Sequence, residues 1–167
     1  MADTNKLAPQ AVADRELGMI LAIADISASP GRVFNALITD EVETWWGAPG
    51  VYTVADWKAD LRVGGLWSLN VVRPDGMVAP AGGEFLAIEK PNKIVITRRY
   101  DFDYPVLGRR VTKVTYLLDS CEAGTRLTVR HEGFGEAIQA AYDHADGWER
   151  YLGWLGDYFT SLQEKIK

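Results

Sequence analysis

The most telling residue that could do chemistry in this chain is an arginine on an otherwise apolar strand face. In the run Lys93 to Tyr100, Ile94 and Ile96 share one face, and the same phase continues to Arg98 and Tyr100. A guanidinium there stays charged, and burying it alone is costly. It must therefore find a partner. One reading is a fork that holds a ligand carboxylate or phosphate. The plainer readings are an internal pair with Glu84 or an outward turn to water. His131 ends the apolar phase of its own strand, as a general acid or base beside a cavity or as a hydrogen-bonded structural imidazole. Glu84, after a glycine pair, reads as a pocket carboxylate or as one side of a strand-edge salt bridge. No nucleophile with a His and Asp arrangement stands out, and no catalytic residue is assigned.

These residues need walls around them. The chain has six Trp and seven Tyr, side chains that build cores and also line apolar ligand sites. Trp45, Trp46, Trp67, Trp148 and Tyr151 are expected at a pocket mouth, or as core packing. The apolar phases place Trp67, Leu69 and Val71, then Ile94 and Ile96, then Val114, Tyr116 and Leu118, and Leu127, Val129 and His131, on one concave face.

What covers that face is written at the end of the chain. Trp148, Leu152, Leu155, Phe159, Leu162 and Ile166 recur at spacings of four and three, and Tyr151, Trp154 and Tyr158 widen the stripe. This predicts an amphipathic helix from Gly147 to Lys167. Before it, Gly18 to Ser27 predicts a strand. Ser29-Pro30 opens a short helix and Thr39-Asp40 a second one through Trp46. Strands follow at Val51 to Leu61, Leu66 to Arg73, Gly83 to Glu89, Lys93 to Tyr100, Arg109 to Asp119 and Thr125 to His131, joined by turns such as Pro74-Asp75-Gly76. Short sequential strands imply an antiparallel meander. A long helix closing such a sheet requires the sheet to curve around it and can enclose a cavity. Residues 1–17, polar and small, read as a flexible N-terminal arm. Residues 18–167 read as one domain.

Composition bounds the rest. The net charge of −5 argues against nucleic acid and anionic membranes as partners. Cys121 is alone and His131 and His144 are the only histidines, so neither a disulfide nor a metal site is expected, and no cofactor is implied. No signal peptide and no membrane-spanning run of about 20 apolar residues is visible. A cytoplasmic protein is the expectation.

The order strand, two short helices, six strands, long helix resembles the α+β helix-grip fold of the START / Bet v 1-like (SRPBCC) superfamily. The motifs narrow the resemblance. Ala28-Ser29-Pro30-Gly31-Arg32-Val33-Phe34, Thr39-Asp40 and Trp45-Trp46-Gly47 look like the opening of the family named after the activator of heat-shock protein 90 ATPase. Asp60-Leu61-Arg62-Val63-Gly64-Gly65, Asp75-Gly76, Gly83-Glu84 and Pro91 match its middle, and Gly124-Thr125-Arg126-Leu127-Thr128-Val129 with Gly147-Trp148 its end. Where that family often has an aromatic residue, this chain has Arg98.

The resemblance implies a cavity between sheet and helix that takes a small hydrophobic or amphipathic molecule, such as a carboxylate. Its expected lining is Trp45, Trp46, Trp67, Leu69, Glu84, Ile96, Arg98, Tyr116, Val129, His131, Trp148, Tyr151, Leu152 and Leu155. Two alternatives stay open. One is a module that regulates a chaperone ATPase through its surface. The other is a polyketide cyclase or dehydratase, which needs an acid/base pair from Glu84, Tyr116 and His131. A second copy of the chain, as a homodimer, is a further partner to weigh.

Overall fold

Alternation of apolar and polar side chains builds the sheet of this molecule. The computed structural model describes residues 5–166; Met1 to Thr4, Lys167 and the side chain of Ile166 lie outside the described residues. In chain order the elements are β1 (Gln10–Asp14), β2 (Met19–Ile26), α1 (Pro30–Ile38), α2 (Val42–Trp45), β3 (Gly47–Ala48), β4 (Tyr52–Ala59), β5 (Leu66–Val72), β6 (Val78–Glu89), β7 (Lys93–Tyr100), β8 (Thr112–Cys121), β9 (Gly124–Glu132) and α3 (Ile138–Ile166). The strands form one antiparallel sheet in the order β1-β2-β9-β8-β7-β6-β5-β4-β3. This is the helix-grip arrangement, α+β, with the sheet around the C-terminal helix.

The predicted strand phases hold. Trp67, Leu69, Ile94, Ile96, Val114, Tyr116, Leu118, Leu127, Val129 and His131 are all buried on the face toward α3. The helix answers with Trp148, Tyr151, Leu152, Leu155 and Phe159, also buried, while Leu162 is half-buried. Phe159 is 3% exposed and carries the Arg32 guanidinium 5.1 Å over its ring. Gly83 lets β6 and β7 approach: a Cβ there would lie 1.9 Å from the Thr97 carbonyl oxygen, which accepts the Trp67 indole N–H at 3.1 Å.

Several boundaries differ from the sequence reading. Helix α3 begins at Ile138, nine residues before Gly147. Its first turns bury Ala140, Ala141, His144 and Ala145, small or polar side chains that leave no apolar stripe to read. Helix α2 begins at Val42, after a turn in which the Val42 N–H donates to the Thr39 carbonyl at 3.1 Å, and the Thr39 hydroxyl donates back to the Asn35 carbonyl at 2.7 Å at the end of α1. Strand β6 begins at Val78 and β8 at Thr112.

A further difference is in the predicted arm, where Gln10–Asp14 forms the edge strand β1, paired with β2 from Gln10↔Ile23 to Asp14↔Met19. Its inward side chains are only Ala11 and Ala13, packed against the core. The segment is pinned further by Leu7, whose N–H donates to Asp25 Oδ2 at 2.9 Å and whose carbonyl accepts the Asp25 N–H at 3.0 Å. Asp25 is itself buried and bonded through both carboxylate oxygens to Arg126, at 2.9 and 3.0 Å.

Candidate functional site

Strand β7 carries the site. Its alternation turns Ile94, Ile96, Arg98 and Tyr100 toward the helix. Ile94 and Ile96 meet core. Arg98 and Tyr100, nearer the end of the strand, face a cavity of about 560 Å³ between the sheet, the loop after β7 and the first half of α3. Seven of its nineteen lining residues are aromatic, Trp46, Tyr52, Tyr100, Phe102, Tyr104, Trp148 and Tyr151, and aliphatic side chains such as Val71 and Met77 join them. Arg73, Asp143 and Arg150, all exposed, stand at its rim.

Arg98 does not pair with Glu84; it is half-buried, with its Nε sealed and its side chain lining the cavity. Its guanidinium carbon lies 5.5 Å from the Trp46 ring centre and 5.6 Å from that of Tyr100, within cation–π range of both. Its Nε is the one buried side-chain nitrogen or oxygen without a hydrogen-bond partner among the described residues. None of the ion pairs among those residues includes it. Burial, the largest influence, works against its charge; what raises its pKa above the usual value is attraction to Tyr100, Tyr116, Tyr52 and Tyr151, which acts only where those phenols are ionised.

A chain of hydrogen bonds fixes the strand at this point. The Trp148 indole N–H donates to His131 Nδ1 at 3.1 Å, so the proton of a neutral His131 sits on Nε2. That N–H points at Thr112 Oγ1, 2.8 Å away, and the Thr112 hydroxyl donates to the Arg98 carbonyl at 3.1 Å. The register pairs Arg98 with Thr112 and Val114 with His131, which brings the three together. The second histidine is assigned the same way. His144 Nδ1–H donates to the Ala140 carbonyl at 2.7 Å, leaving Nε2 to accept the Tyr100 hydroxyl at 2.8 Å.

Both imidazoles are neutral at pH 7. Burial, and then the Arg98 charge, lowers the pKa of His144 to about 4 and drives that of His131 well below the ordinary value. Burial, and then Tyr100, pushes Tyr104 up to about 12, and burial raises Tyr116 and Tyr151 as well. The tyrosines therefore present neutral hydroxyls, none of them an anion for Arg98.

An acid-stability prediction follows. Between the folded and unfolded pKa of each histidine, the unfolded chain binds a proton that the folded chain refuses, so stability falls as pH drops below about 6.5. Urea denaturation should show a loss of roughly 2–4 kcal/mol from about pH 7.5 to about pH 5. That window lies above the range of Asp25 and Glu41. Hydrogen bonds from Arg126 and Arg32, respectively, hold these carboxyls below their usual pKa. A His144→Gln variant should lose much of the slope. A flat profile in the native protein would show that the two imidazoles are not held neutral.

Of the expected lining, Trp46, Arg98, Trp148 and Tyr151 meet at the cavity. Trp67, Ile96 and Tyr116 surround a residual void of about 20 Å³ beneath it, too small for a ligand. Trp45 packs on Tyr151 and gives its indole N–H to the Ala36 carbonyl. Leu69, Val129, Leu152 and Leu155 are core. Glu84 is exposed, out of phase with buried Phe85, so it joins neither Tyr116 nor His131. His131 is sealed, with both ring nitrogens engaged.

The sequence reading missed Tyr52, Tyr104, His144 and Gly147, and left Tyr100 without a role. Tyr100 was visible in phase with Arg98. His144 stands four residues before Trp148, a helical spacing that shows once α3 is known to start early.

Comparison with known proteins bears on this geometry. The family model described as activator of Hsp90 ATPase homolog 1-like protein matches residues 27–160. The chain belongs to that family. A search of curated proteins finds no match. Among solved structures, protein CV1439 from Chromobacterium violaceum is similar at 24% identity, covering 84% of this chain and 96% of that one, with a TM-score of 0.71. Protein Ms6760 from Mycobacterium smegmatis is similar at 21% identity, with 92% and 98% coverage and a TM-score of 0.78. CalU16 from Micromonospora echinospora is similar at 21% identity, with 95% and 88% coverage and a TM-score of 0.63. At these identities the likeness establishes the shared fold. This member of the activator-homolog family has no described helix long and apolar enough to cross a membrane. Among its described residues, no group of three or more His, Cys, Asp or Glu side chains could hold a metal ion.

Proposed function

We propose that this chain binds a small amphipathic organic anion in the cavity, with the acidic group on Arg98 and the apolar body against the aromatic walls. The observation that carries this reading is the guanidinium itself, buried at Nε and free of any acidic partner among the described residues. A half-buried charge with no acidic partner is costly, and a ligand carboxylate would supply both the counter-charge and the missing acceptor at Nε. The walls supply the rest of the affinity. Burying about 300 Å² of apolar ligand surface at ~25 cal/mol/Å² contributes roughly 7 kcal/mol, and association takes several kcal/mol back, so micromolar affinity is expected.

The test is calorimetric titration of the native protein with an aryl carboxylate and with its neutral primary amide. The carboxylate should bind about tenfold or more tightly, the worth of a hydrogen bond to a charged group. Equal affinity for the two would end the proposal.

A further inference from the structure

We propose that the ligand body is a planar aromatic system of two or three fused rings rather than an alkyl chain, and that Gly147 makes the room for it. This rests on the reading of Arg98 as the anchor of the acid. The guanidinium touches two aromatic groups at once. Through Trp46 it meets a cluster in which Tyr151 lies edge-on to Trp46 and to Trp148, with ring centres 4.9 and 4.8 Å apart. Through Tyr100 it meets a second group, where Tyr104 stacks on Tyr100 at 4.5 Å and 17°. An acid held by Arg98 therefore has its first atoms beside ring faces and edges of both groups. Flat rings satisfy such surfaces by stacked and edge-on contact, and they lose fewer rotors on binding than a chain does.

Gly147 supplies the second, independent observation. It lies within α3 and lines the cavity. A Cβ built there meets nothing within 4 Å, so an alanine would fit without a clash. Glycine inside a helix costs about 1 kcal/mol relative to alanine. No neighbouring atom requires that sacrifice. What the missing side chain leaves is empty volume in the cavity, one helical turn from Tyr151 and next to Trp148.

The experiment titrates the native protein with anthracene-2-carboxylate, dodecanoate and the neutral amide of each. Anthracene-2-carboxylate is expected to bind about tenfold tighter than dodecanoate, because stacked aromatic contacts add to area burial. Gly147→Leu should keep the fold and weaken anthracene-2-carboxylate roughly tenfold or more by filling the slot. Should that variant fail to fold, Gly147→Ala serves: its Tm should rise while its affinity for anthracene-2-carboxylate drops. Dodecanoate binding as tightly as the anthracene acid, with both preferred over their amides, overturns the aromatic class and leaves Arg98 as the anchor. No preference for either acid over its amide overturns the anchor itself. Folded glycine variants that bind anthracene-2-carboxylate like the native protein overturn the role of Gly147.

Discussion

Replacing Trp148 with alanine is expected to destabilise the fold by about 3–5 kcal/mol, the range for deleting a large buried aromatic side chain. The residue is 3% exposed. Its ring stands edge-on to Tyr116, Tyr151 and His131, with centres 5.9, 4.8 and 5.9 Å away. Besides opening a void, the substitution removes the indole N–H from His131 Nδ1 and leaves a sealed acceptor unpaired. Such an orphan costs about 1–3 kcal/mol by itself. Trp148→Phe separates the two contributions, since it keeps much of the packing and loses the hydrogen bond. Urea denaturation at neutral pH measures both. A loss below about 1 kcal/mol for the alanine variant would mean that the helix face does not seal the core as described.

The second large effect belongs to binding. Arg98→Leu should weaken an aryl carboxylate by roughly 1.5–3 kcal/mol, about ten- to 150-fold, while leaving the neutral amide nearly unaffected. Stability should hold or rise, because leucine removes a half-buried charge with a sealed, unpaired Nε and strands no acid. Glu84, the obvious internal partner on paper, is exposed and does not pair with Arg98, so nothing is orphaned by the change. Arg98→Lys should fall between, keeping the charge and losing the planar fork. If Arg98→Leu bound carboxylate and amide as the native protein does, the anchor would have to lie elsewhere, with Arg73 and Arg150 at the rim as the next residues to test.

How far the sequence could be read depended on side-chain size. Strand alternation placed Ile94, Ile96, Arg98 and Tyr100 on one face, and that face is the one turned to the helix. The second half of α3 announced itself through Trp148, Leu152, Leu155 and Phe159. Its first half did not, because Ala140, Ala141 and Ala145 are too small to make a stripe. Strand β1 was hidden for the same reason, with Ala11 and Ala13 as its inward residues. The position of the cavity was lost with the first half of α3. Periodicity tells which face is inward but not how deeply neighbours fill the space. Trp67, Ile96 and Tyr116 were inward as expected and close-packed rather than open. Histidine pairing was equally out of reach, since His131 and Thr112 meet only through strand register.

The glycines of α3 bear on how the molecule assembles. Gly147, Gly153 and Gly156 all fall within this 29-residue helix, and each weakens it by about 1 kcal/mol in isolation. The helix forms on the sheet rather than ahead of it. Its contacts also reach far back along the chain: the Ala11 N–H donates to Glu149 across 138 positions, and Gln163 donates to the Ser27 carbonyl across 136. Such closure is slow, because distant segments must meet before their contacts stabilise anything. During synthesis the concave face of the sheet, with Trp67, Tyr116 and Val129 on it, is complete while the segment that covers it is still emerging. The growing chain is thus most prone to aggregation after β9 has emerged from the ribosome and before α3 has.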